Sequence, residues 1–164
     1  LLNARRFDEA VAQARRALEI EPDFHDALTL LGRTAIRTGR YDDAIAAYRR
    51  GAAVSDDNPE DLGGLAHALA RAGDEAAARA ILGDLVARAD SVFVPPLHVG
   101  YAFLGLDQDD DALTWFERAV EERGGWNVWL PRYPEADHLH IHPRFRDLVA
   151  RMRLTPLLRP APSR

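Results

Sequence analysis

HDALTLLGRTAIRTGRYDDAIAAYRRGAAVSDDN, residues 25–58, reads as two amphipathic helices joined by a turn at Gly39. Its spacing recurs through the chain. Ala10, Ala44, Ala78 and Ala112 lie 34 residues apart, and the same step links Gly32 to Ala66 to Gly100, Leu31 to Leu65 to Val99, and Gly39 to Gly73. Several different columns with one period define a repeated unit, and a lone helix pair cannot bury its apolar face, so the copies must stack. The pattern predicts helices at 7–20, 25–38, 41–54, 59–72, 75–89, 93–105 and 109–123. Gly32 and Ala44 mark where two helices come closest, because a larger side chain there overpacks the contact at a cost of about 1–3 kcal/mol. Gly63, Gly64 and Gly83 fall inside the third copy, where each helical glycine is expected to weaken it by about 1 kcal/mol.

Leu28, Leu31 and Gly32 in the first helix, Gly39 at the turn, and Tyr41, Ala44 and Tyr48 in the second helix resemble the tetratricopeptide repeat. That resemblance covers roughly residues 1–123 and implies an all-α fold, a right-handed superhelical array of helix-turn-helix units. About three and a half repeats are expected, the first truncated, since only LLNARR precedes its second helix. An unpaired helix exposes an apolar stripe, so the chain is expected to be cut from a longer protein, with self-association through the truncated repeat as one further contact. The sequence departs from the family pattern at Gly51, where Ala is usual, at Asp56, where Pro often ends the helix, and at Asp107, which takes the turn position of Gly39 and Gly73.

Residues 124–164 leave the period and are expected to cap the array. Trp126, Trp129 and Leu130 suit a short apolar turn, while Pro143, Phe145, Leu148, Val149 and Met152 suit a short helix near 143–153. TPLLRPAPSR, residues 155–164, is expected to fray. EERGGW and HPRFRDLVARM also resemble the ends of repeat arrays in bacterial multidomain regulators and kinases.

Composition narrows the chemistry. The chain of 164 residues has 47% hydrophobic residues, no cysteine and a formal charge of −5, which removes disulfide frameworks, thiolate nucleophiles and cysteine zinc sites. No apolar run approaches a membrane span and no signal-peptide layout opens the chain, so a cytoplasmic location without membrane contact is expected. All 21 basic residues are Arg, beside 28 Ala, a bias that a genome rich in G and C produces without any nucleic-acid role. The acidic balance argues further against a nucleic-acid partner. Ser55, Ser91 and Ser163 have no glycine-rich elbow, the Gly63-Gly64 and Gly124-Gly125 pairs do not make a phosphate loop, and Asp109 to Asp111 suit the positive end of a helix dipole. No catalysis and no cofactor are expected.

Two constellations remain. His138, His140 and His142 form an H-x-H-x-H run that extended backbone would present on one side as metal ligands, though Leu139, Ile141 and Phe145 interleave as apolar anchors. The resemblance also implies a concave groove lined by the first helix of each repeat. There Arg33, His67 and Tyr101 share one column across three copies, with Arg37 and Arg71 one turn on. Asp26, Thr29 and Ile36, and Glu60 in the next copy, would also face outward. This ladder suits a protein or peptide carrying carboxylates and one apolar anchor, unless the basic groups pair with local acids. A carboxylate clamp of the family's chaperone-binding kind is not evident, since Thr29, Gly64 and Val94 occupy its positions.

Overall fold

A computed structural model describes residues 7–122 and 125–158 of the chain. The LLNARR segment, the side chain of Trp126 and the terminal stretch 159–164 lie outside the described residues, and with them the missing first helix and most of the expected fraying. The fold is all-α. Seven helices follow the repeat: α1 Phe7–Ile20, α2 His25–Arg37, α3 Tyr41–Val54, α4 Pro59–Ala72, α5 Glu75–Ala89, α6 Pro96–Gly105 and α7 Asp109–Glu121. Asn58 caps α4, its Oδ1 accepting from the Glu60 amide at 2.9 Å, with Pro59 at the first helical position. Asp74 caps α5 in the same manner through the Ala77 amide at 3.1 Å. No described helix is long and apolar enough to cross a membrane.

Helix α6 starts three residues later than its period predicts. Pro95 and Pro96 are the reason, since the residue before a proline is pushed out of the helical region. The delay leaves Phe93 outside the helix and 77% exposed.

The period expresses a packing rule. Ala10, Ala44, Ala78 and Ala112 are all fully buried, and a Cβ added to Gly32 would stand 2.7 Å from the Tyr48 ring, as one on Gly100 would stand 2.5 Å from Phe116. In the α2/α3 and α6/α7 pairs a small residue on the first helix therefore receives a large one from the second. The same test corrects the expectation of a soft third repeat at two of its three glycines. A Cβ on Gly64 would meet Tyr48 at 2.3 Å and one on Gly63 the His98 carbonyl at 2.6 Å, so these are close approaches that need glycine. Gly83 alone faces open space. Asp107 makes its turn at φ 56°, a left-handed conformation that Asp tolerates better than most residues.

Beyond α7 the chain winds through two 3-10 helices, Gly125–Arg132 and Pro134–Ile141, into α8, Pro143–Arg151, and a last 3-10 turn, Thr155–Leu157. Phe145, Leu148 and Val149 of α8 are fully buried in one cluster with Leu113 and Phe116 of α7 and with Leu130 and Leu139. Leu154 and Leu158 pack against the same cluster.

Candidate interaction face

Helices α2, α4 and α6 share one face, and the predicted column lies on it. His67 stacks on Tyr101 with ring centroids 4.5 Å apart, and its Nδ1 lies 2.9 Å from the Tyr101 carbonyl oxygen. His67 is buried and Tyr101 partly so. Burial holds the His67 imidazole below its usual pKa and raises the Tyr101 phenol, so His67 is a neutral buttress for Tyr101 rather than a basic contact. Arg71 remains 40% exposed and donates to Asp107 at 2.9 Å.

Arg33 and Arg37 meet the chain's own C-terminal segment. Arg33 Nη2 donates to the Tyr133 hydroxyl at 3.0 Å while Nη1 donates to Glu60 at 3.3 Å, and its guanidinium lies 5.6 Å from the centroid of the Tyr133 ring. Arg37 Nε donates to Glu135 Oε1 at 2.9 Å, with the two side chains only 1% and 7% exposed, and its guanidinium also covers the Tyr133 ring at 5.2 Å. Tyr133 in turn sets its edge against Tyr101 at 6.3 Å. Arg37 Nη1 and Nη2 and Glu135 Oε2 are buried with no hydrogen-bond partner. A cavity of about 30 Å³ lies among Arg33, Tyr48, His98, Tyr101 and Tyr133, and burial together with the Arg33 charge brings the His98 imidazole down to about 4. Burial also raises the Glu60 carboxyl, although Arg33 opposes it. A second cleft, about 260 Å³, remains open beside the segment between Tyr41, His67, Arg71, Leu104 and Pro134.

The repeat pattern did not disclose Tyr133, Glu135 or His98 as members of this face. The first two lie outside the period, and their partners in α2 are 100 and 98 residues away. Glu60 was legible as an outward position of α4, but not its pairing with Arg33.

A second polar cluster corrects the expectation that Thr29 faces outward. Thr29 is buried and donates to Asp61 Oδ1 at 3.0 Å, Ser55 donates to Asp61 Oδ2 at 3.0 Å, and His25 Nε2 approaches the same Oδ2 at 2.5 Å. Burial disfavours the His25 charge, yet the hydrogen bond and charge of Asp61 outweigh it and raise its pKa. Gly51 now has a reason to depart from Ala, because a Cβ there would lie 2.7 Å from Asp61 Oδ1. Ser55 contacts the carboxylate and not the imidazole, so the cluster ties α2, α3 and α4 together without forming a nucleophile relay.

The tail histidines do not share a side. His138 and His140 lie in 3-10 helix, where residues two apart point in different directions, and only His142, just past its end, is extended. His138 pairs with Asp109 at 2.9 Å, His140 is buried against Phe145 with ring centroids 5.4 Å apart, and His142 precedes α8. Among the described residues no group of three or more His, Cys, Asp or Glu is placed to hold a metal ion.

A family model described as "Tetratricopeptide repeat" matches residues 1–61. No curated protein matches the chain. Residues 1–61 thus match the tetratricopeptide repeat family, and the helix pairs α4/α5 and α6/α7 continue the same all-α packing beyond that match.

Proposed function

We propose that this chain is a protein-interaction scaffold without chemistry of its own, and that it recognises a partner segment on the face of α2, α4 and α6. Repeats of this family generally mediate protein–protein interaction. One observation carries the finer reading: this face already holds polypeptide, with Tyr133 and Glu135 seated on Arg33, Arg37 and Tyr101. A side chain with a ring and a carboxylate two residues later is thus the chemistry that the face accommodates. Arg33 and Arg37 supply the charge, Tyr101 the apolar platform, His67 its support, and Arg71 a further cation at the open end of the cleft.

Selection from a displayed random-peptide library tests this. Recovered peptides should combine Asp or Glu with an aromatic residue, bind more weakly as salt is added, and lose roughly tenfold in affinity with Arg37→Ala and Arg71→Ala together. Peptides of unrelated composition that bind the double variant undiminished would move recognition to another face.

A further inference from the structure

We propose that Tyr133 and Glu135 form a releasable strap, a built-in stand-in for the partner segment, which a segment carrying an aromatic side chain and a carboxylate displaces. This rests on the function proposed above and adds its regulation. The strap joins the array's two ends, running from the C-terminal cap to α2 across about 100 residues of sequence. Most of its anchorage is elsewhere. Tyr133 and Ala136 also belong to the C-terminal core, but Leu130 and Leu139 hold the flanking 3-10 helices in it and Phe145, Leu148 and Val149 seat α8 on α7, so the cap keeps most of its anchorage when Tyr133 and Glu135 withdraw.

The strap also fits its seat incompletely. A guanidinium can hold a carboxylate with two parallel hydrogen bonds, but Arg37 gives Glu135 only its Nε, leaving Nη1, Nη2 and Glu135 Oε2 without partners. The small cavity beneath Tyr133 shows the same looseness on the aromatic side. An incoming carboxylate that engages Arg37 through two nitrogens replaces a half-made contact with a complete one. The open cleft beside Pro134, with Arg71 at its rim, gives that segment a place to land before the strap lifts.

A tethered segment competes at an effective concentration in the millimolar range, so the closed strap should weaken binding in trans by a large factor. The probe is a fluorescent peptide LPRYPEADHLH, residues 130–140, titrated by anisotropy against the whole chain. The double variant Tyr133→Ala/Glu135→Ala should bind it at least tenfold more tightly than the unsubstituted chain, and adding Arg37→Ala should remove the gain. Should that double variant fail to fold, Tyr133→Phe/Glu135→Gln keeps the volume while deleting the phenol contact and the ion pair, and decides the question alone. Equal affinity of the unsubstituted chain and the opened variants overturns the strap but leaves the face as the binding surface. No binding to opened variants that retain helical circular dichroism and cooperative melting, or binding that Arg37→Ala does not weaken, overturns the proposed face as well. In the unsubstituted chain, saturating probe should speed amide exchange at residues 132–137 and leave 145–150 unchanged. Unchanged exchange at 132–137 under saturation also overturns the strap.

Discussion

Asp61 and Glu135 are two buried carboxylates on the same array, and they are satisfied to different degrees. Asp61 is 0% exposed and takes contacts from His25, Thr29 and Ser55, which reach it from α2 and from the end of α3. Glu135 takes one hydrogen bond from Arg37 and leaves three polar atoms of the pair without partners. The neighbouring imidazoles differ too: the carboxylate raises the pKa of His25, whereas burial and the Arg33 charge lower that of His98. A saturated buried cluster locks elements together, because every route out of it strands a polar group. A half-satisfied one has little to lose on opening. That difference separates the part of the molecule that holds the repeats in place from the part that a partner can replace.

Asp61→Ala should have the largest effect. It strands buried Thr29 and takes the shared acceptor from half-buried Ser55 and His25, and losing the buried centre of a paired network costs roughly 3–5 kcal/mol, read as a fall in the urea midpoint. A loss under about 1 kcal/mol would place Asp61 on the same footing as Glu135 and erase the contrast.

Acid should act next, with opposite signs at the two clusters. His98 has a folded pKa of about 4 against 6.5 unfolded, so the unfolded chain takes up its proton first and stability falls as pH drops from 6.5 toward 4, by about 3 kcal/mol in full. His25 has its folded pKa above 6.5, so its contribution is complete below pH 6.5 and fades as pH rises through the raised value. Denaturation series between pH 4 and 8 should flatten at the acid end in His98→Leu and at the alkaline end in His25→Gln. Parallel curves for both variants and the parent would remove the imidazoles from the comparison.

Gly51→Ala tests the saturated cluster by crowding it. Despite the helix propensity gained, the new Cβ pushes on Asp61 and should cost roughly 1–2 kcal/mol, while Gly83→Ala, with open space around it, should gain about 0.5–1 kcal/mol. Thermal midpoints that rise in both variants would show that Asp61 has room to move.

Glu135→Gln should have the smallest effect, less than about 1 kcal/mol on global stability. If the segment lifts, water reaches Arg37 and the pair behaves as a surface one; a charge trapped in place would instead cost about 3–5 kcal/mol. The urea midpoint of this one variant therefore reports whether the strap opens.

The array was legible because its contacts are local and repeated. Ala44 and Ala78 and the Gly32/Tyr48 contact recur at the period with which helix pairs stack, so one copy explains the others. Residues away from that rhythm were misread or missed. Gly63 and Gly64 looked like weak points because a helical glycine is costly in isolation, and only the approach of His98 and Tyr48 shows why nothing larger fits. Thr29 and His67 were read as outward because helical phase gives direction relative to one axis and says nothing of what a third helix covers.

Seven helices and their pairing were determined by the sequence itself, since 34-residue periodicity and helix geometry leave one way to bury the stripes. What occupies the basic face was decided only by tertiary structure. Tyr133 meets Arg33 and Glu135 meets Arg37 because α8 and the 3-10 helices seat the tail on the last repeat and carry it back across the array. A contact between residues about 100 positions apart, made once and on no period, leaves no pattern along the chain from which it could be read.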